Sequence, residues 1–259
     1  SIMTPQAIAK MLIARAADLR AVAMFLTRLP LGNPDVGDVP IARILWAFPV
    51  VGWVLGLGAG AVFASGLAFG LGVLPAAALA VAMEVWATGA FHEDGLADTA
   101  DGLSGATQED SLEILRDSRL GTFGVSALAL SLVARFAVIA AVAEPLAVIA
   151  LLAAAGAISR AALAWPMALL PPARADGMSA FIGVPTLREA LIASVIALGL
   201  ALISVGIGLA VIALVVAAIG AGALSAMARR AFGGQTGDVL GATQQVTYVL
   251  ILMVLSAKI

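Results

Sequence analysis

The chain has 259 residues, of which 62% are hydrophobic and only 12% charged, and its mean hydropathy is +1.09. Soluble domains carry about 25% charged residues, so this composition excludes an ordinary water-soluble enzyme and points to one membrane domain, 1–259. The absence of cysteine excludes disulfides and thiolate metal sites, a single histidine excludes a His-rich metal centre, and a net charge of −2 marks out no partner.

In chain order, residues 5–29 place Ile8, Met11, Leu12, Leu19, Val22, Phe25 and Leu26 among Lys10, Arg15, Arg20 and Arg28. That pattern predicts an amphipathic helix lying in the membrane interface. A Gly/Pro/Asp loop follows over 31–42. The first apolar run, 43–71, carries Gly52, Gly56 and Gly60 on one helical face, which lets another helix, of this chain or of a second copy, approach closely. A second run, 75–91, contains Glu84. An acid inside a membrane segment costs a few kcal/mol, so Glu84 is expected to face the functional site.

Residues 92–119 are unlike the rest. They hold His92, the only histidine, and half of the sixteen acids: Glu93, Asp94, Asp98, Asp101, Glu109, Asp110, Glu113 and Asp117. Asp94, Asp98 and Asp101 stand at i, i+4 and i+7, one face of a helix. Three carboxylates on one face repel one another and favour a bound cation. Oxygen ligands suit Mg²⁺, Mn²⁺ or Ca²⁺, and Mg²⁺ commonly shares its shell with substrate phosphates, which points to phosphoryl chemistry. Thr107 to Asp110 reads as a capping box opening a short helix over about 108–119. Arg116 and Arg119 flank Asp117, and arginine forks match phosphate oxygens.

Further spans are predicted at 123–142 (with Arg135), 146–170 (with Ser159-Arg160), 188–206, 208–228 and 240–256, about seven in all. A polar loop, 171–187, contains Arg174 and Asp176. A glycine-rich turn from Gly233 through Gln235 to Asp238 could present backbone N–H groups to phosphate. With the basic N-terminus in the cytoplasm, the segments 92–122, 171–187 and 229–240 all fall on the cytoplasmic side.

Three stretches together, Phe91-His-Glu-Asp-Gly-Leu-Ala-Asp-Thr-Ala-Asp-Gly102, Arg116-Asp-Ser-Arg-Leu-Gly121 and Gly233-Gly-Gln-Thr-Gly-Asp-Val-Leu-Gly-Ala242, strongly resemble the cobalamin synthase family. Phe25-Leu-Thr-Arg-Leu-Pro30, Phe48-Pro-Val-Val-Gly52 and Ser159-Arg160 match in the same order, so the resemblance covers roughly residues 25–245. Position 93 varies between Leu and Glu in the family's pattern. The resemblance implies an all-α integral membrane enzyme of the bacterial inner membrane that joins adenosylcobinamide-GDP to α-ribazole or its 5′-phosphate, releases GMP and depends on Mg²⁺.

On that basis Asp94, Asp98, Asp101 and Asp117 are the expected metal ligands, with His92 a general base or phosphate contact. Arg116, Arg119, Arg160, Gln235, Asp238 and Glu84 are the expected substrate contacts. Asp98-x-x-Asp101-Gly102 is also similar to the opening of the motif in CDP-alcohol phosphotransferases, so a lipid enzyme of that kind is the alternative. A transporter is a weaker one, since the acids gather at one face and no inverted repeat is evident.

Overall fold

The computed structural model describes residues 4–32, 40–117, 119–174 and 182–258. Asp176 lies outside the described residues. Apart from one isolated parallel bridge, Pro172 with Gln235, the regular structure among the described residues is helical. The chain is an all-α polytopic bundle.

Among the described residues the α-helices are α1 Pro5–Leu26, α2 Ala47–Ala68, α3 Val73–Thr88, α4 Phe91–Gly102, α5 Gln108–Ile114, α6 Thr122–Val142, α7 Pro145–Ala162, α8 Ala164–Leu169, α9 Leu187–Ala231 and α10 Gly237–Ser256. Five stretches are each long and apolar enough to cross a membrane: α2, α6, α7 with α8, α9 and α10. The longest, α9, is two limbs. Gly206 inside it has φ +77° and ψ 168°, outside the helical region. Ser194 of the first limb and Leu214, Ala218 and Arg229 of the second line one cavity. A straight helix of this length would run roughly 68 Å and could not bring those residues together. The chain therefore reverses at Gly206, the break expected from the sequence near 206–208.

The α2–α7 pair is the tightest contact in the bundle. A Cβ on Gly52 would overlap the Gly156 carbonyl, and one on Gly56 would overlap the Leu152 backbone. The glycine face read from the sequence is thus used inside the chain, against α7, and is not free for a second copy. The α1 helix docks only by its C-terminal half, where Val22 and Leu26 are buried and Phe25 packs edge-on to Phe91. Leu12 and Ile13 stay exposed.

At the other end of α3 the helix stops abruptly. Gly89 (φ +64°) and Ala90 (φ +59°) are both left-handed, a conformation that costs a non-glycine residue about 1 kcal/mol. The N–H groups of Gly89 and Ala90 donate to Trp86 and Val85 carbonyls, closing α3. The chain then turns 87° into α4, and α3 and α4 are together apolar enough for a sixth stretch, broken at this bend.

Candidate functional site

The three polar segments meet at this end. Gln235 N–H donates to the Pro171 carbonyl at 2.9 Å, and Ala173 N–H donates to the Gln235 carbonyl at 2.9 Å. Leu115, Leu170, Phe232 and Val239 close a small apolar cluster beneath them. The glycine-rich turn, the 171–174 segment and the acidic segment are therefore one assembly.

The crossing of α4 over α10 builds the acidic face. A Cβ on Gly95 would lie 2.8 Å from the Asp238 carbonyl oxygen and 3.1 Å from Gly241 Cα. Only glycine allows that approach. It sets Asp94 (exposed) and Asp98 (half-buried) beside Asp238. Burial, followed by the charges of Asp94, Asp238 and Asp101, pushes the Asp98 carboxyl up to about 6. Arg174 is the cation beside this group, with Nη2 3.6 Å from Asp238 Oδ2.

Asp101 points elsewhere. Its Oδ2 accepts from Gly121 N–H at 2.7 Å and its Oδ1 from Gly124 N–H at 2.8 Å. It caps the N-terminus of α6, where a carboxylate also meets the positive end of the helix dipole. Asp117 is on an exposed loop, its carboxylate gripped by the Arg119 fork at 3.0, 3.0 and 2.6 Å. That hydrogen bonding holds Asp117 down to about 2. Arg116 lies on the same loop, in a surface groove with Glu109 and Glu113.

Glu84, Arg160 and His92 lie in a buried polar cluster behind α4. Arg135, 1% exposed in the middle of α6, donates to Glu84 at 2.8 Å and to Glu93 at 2.7 Å. Tyr248 hydroxyl donates to the same Glu84. Arg160 Nη1 donates to the Gly156 carbonyl at 3.3 Å, and Gln244 donates to Ser159 Oγ at 3.1 Å. Among the described residues, His92 Nε2, Glu93 Oε2, Arg135 Nε and Arg160 Nε have no partner. The void they border, about 10 Å³, holds one water at most. Burial, then the charges of Arg160 and Arg135, holds the His92 imidazole well below its usual pKa. Gln235 is wholly buried, and its amide has no partner among the described residues.

Of the residues expected from the sequence, the structure thus brings Asp94, Asp98 and Asp238 together. It places Asp101 as a cap, Asp117 and Arg119 in a surface pair, and Glu84, His92 and Arg160 in the buried cluster. Among the described residues, no three carboxylate or imidazole groups stand close enough to enclose an ion. The sequence reading left Arg174 unassigned. Its only signal was a cation two positions after Pro171-Pro172.

A family model, cobalamin-5-phosphate synthase, matches residues 18–256. The chain belongs to this family. It is 45% identical to an adenosylcobinamide-GDP ribazoletransferase of Bradyrhizobium diazoefficiens, over 93% of this chain and 94% of that one. It is 42% identical to that of Mesorhizobium japonicum, over 93% of each chain. The relative from Azorhizobium caulinodans is also 42% identical, over 92% of this chain and 94% of its own. No solved structure matches. These relatives carry the name of a ribazoletransferase, and not of a CDP-alcohol lipid enzyme or a transporter.

Proposed function

We propose that the chain joins adenosylcobinamide-GDP to α-ribazole, or its 5′-phosphate, at the α4–α10 face. An oxygen of a ribazole hydroxyl attacks the pyrophosphate phosphorus nearer the corrinoid. The bond from that phosphorus to the bridging oxygen breaks, GMP leaves and the hydroxyl proton is lost to a carboxylate of this face. The product is adenosylcobalamin or its 5′-phosphate. The observation that carries this reading is the acidic face of Asp94, Asp98 and Asp238 in a chain matched along its length by ribazoletransferases.

Asp94, Asp98 and Asp238 offer the ligand chemistry of a hard cation such as Mg²⁺ without enclosing one. All three offer oxygen, and their mutual repulsion is what a cation relieves. The incomplete protein shell suits an ion that takes its remaining ligands from substrate phosphates. When bound, Mg²⁺ would neutralise charge on the phosphate oxygens. The protein holds the two substrates in line and keeps the acids on one face. Effects of orientation and of fixed charge each reach several kcal/mol in phosphoryl transfer.

The sidedness follows from charge. The site end carries Arg20, Arg28, Arg43, Arg174, Arg229 and Arg230, whereas the opposite turns carry only Glu144, with Lys258 near the C-terminal end of α10. That bias supports a bacterial cytoplasmic membrane with the site facing the cytoplasm.

The test is GMP release by the purified protein in nanodiscs, given adenosylcobinamide-GDP and α-ribazole, with Mg²⁺ or with a chelator. Metal-dependent GMP with a matching corrinoid product is expected. Folded protein that yields no GMP with Mg²⁺ present would refute the reading.

A further inference from the structure

Each arginine near the acidic segment has its donors engaged differently. The Arg119 fork is taken up by Asp117 through three hydrogen bonds. Arg135 is taken up by Glu84 and Glu93, inside the bundle. Arg160 is buried with them and bonds the Gly156 carbonyl. Arg174 alone borders the acidic face among the residues whose contacts are described above, and it is held differently.

Its closest charged partner, Asp238 Oδ2, is 3.6 Å from Nη2. That separation gives attraction but no hydrogen bond. The Arg174 side chain is only 17% exposed, and its Nε is buried with no partner among the described residues. A largely buried guanidinium with an unused donor is a costly arrangement unless something accepts from it. Its place is nonetheless well fixed. The backbone just before it is pinned by the Pro172–Gln235 bridge, and a Cβ on Gly234 would overlap the Pro171 carbonyl. The site thus positions a planar fork beside Asp238, the carboxylate that α10 adds to the acidic face, with its Nε unused among the described residues. Planar forks of this kind match two oxygens of one phosphate.

We infer that Arg174 is the phosphate-binding residue of the acidic face, taking two oxygens of the pyrophosphate in a nucleoside-diphosphate-linked substrate. The loose contact with Asp238 holds the guanidinium in place until the anion arrives, and then orients it. Arg174 thus brings positive charge to the edge of the face at Asp238, where the phosphate oxygens of the substrate would otherwise meet only carboxylates. This assignment rests on the reaction proposed above.

The experiment uses the full chain in nanodiscs, with free α-ribazole as acceptor so that only one substrate carries phosphate. The wild-type protein is assayed first for metal-dependent GMP release. Failure at that stage would refute the reaction and not the residue. Then R174Q and R174K are compared with wild type in three readouts: KM for each substrate, the dissociation constant of GDP alone by calorimetry, and melting temperature.

The charged contact of Arg174 among the described residues is the 3.6 Å approach to Asp238, too long for a hydrogen bond, so the melting temperature should not move. R174Q should raise the GDP dissociation constant and the KM for adenosylcobinamide-GDP at least tenfold, and leave the KM for α-ribazole within twofold. R174K, a point charge without a fork, should fall between. Wild-type GDP affinity in R174Q would overturn the assignment. So would a drop in melting temperature with both KM values rising together, which marks a structural residue.

Discussion

Asp101 and Gly124 hold each other: the glycine N–H donates to the aspartate Oδ1 at 2.8 Å, and a side chain on the glycine would overlap the same carboxylate. The link fixes the end of α4 to the start of α6. Asp101→Asn replaces one acceptor oxygen with a donor facing a backbone N–H. A loss of about 1–3 kcal/mol of stability is expected, the scale of an unsatisfied buried group. Gly124→Ala should cost a similar amount. Because both changes break one contact, the double variant should lose much less than their sum in thermal unfolding.

Asp98 gives a pH signature. Its folded pKa, about 6, lies above the usual value of 3.8. The native state therefore binds more protons than the unfolded chain between those values. Stability from this group is present below about pH 4 and is lost as pH rises through about 6. The melting temperature of metal-free protein should fall slightly over that window, by a small amount because the group is half in solvent. Asp98→Asn should remove the slope, raise the metal-free melting temperature and lower turnover by about 10² or more.

Arg135 is the cation of a buried network with two acids. Arg135→Met leaves Glu84 and Glu93 buried without their cation, a change that typically costs about 3–5 kcal/mol. The variant should accumulate poorly or melt well below wild type. Neutralising the acids as well, in E84Q/E93Q/R135M, should recover most of the melting temperature, as measured on detergent-purified protein.

Gly52 sits against Gly156 with room for no side chain. Gly52→Val should separate α2 from α7 and destabilise the bundle. The measurement is melting temperature together with aggregation on size exclusion. Gly199, with nothing near it, is the control: Gly199→Ala should be neutral or slightly stabilising.

Much of this was legible in the sequence, because hydropathy and helical spacing report on local geometry. The apolar runs, the reversal near Gly206 and the close glycine face of α2 are all properties of neighbouring residues. The i, i+4 spacing of Asp94 and Asp98 likewise survives into the structure. Asp101 shared that spacing, but its partners are two glycines twenty and more positions away, so its turn towards α6 could not be read from the helix alone. Glu84 looked like a residue facing the site. Its ion pair with Arg135, 51 positions on, is a tertiary fact. Asp117 lay among acids in sequence, yet Arg119, two residues later, takes up its carboxylate. Asp238 and Arg174 joined the acidic face through the Gly95–Gly241 crossing and the Pro172–Gln235 bridge, neither of which has a local signature.

The central claim is that Asp94, Asp98 and Asp238 form one cation-holding face. The most direct measurement is Mn²⁺ binding to the purified protein by electron paramagnetic resonance, for wild type, D238N and D117N. The account predicts that D238N weakens Mn²⁺ binding at least tenfold while D117N stays close to wild type. Wild-type affinity in D238N, or loss of binding in D117N alone, would contradict it.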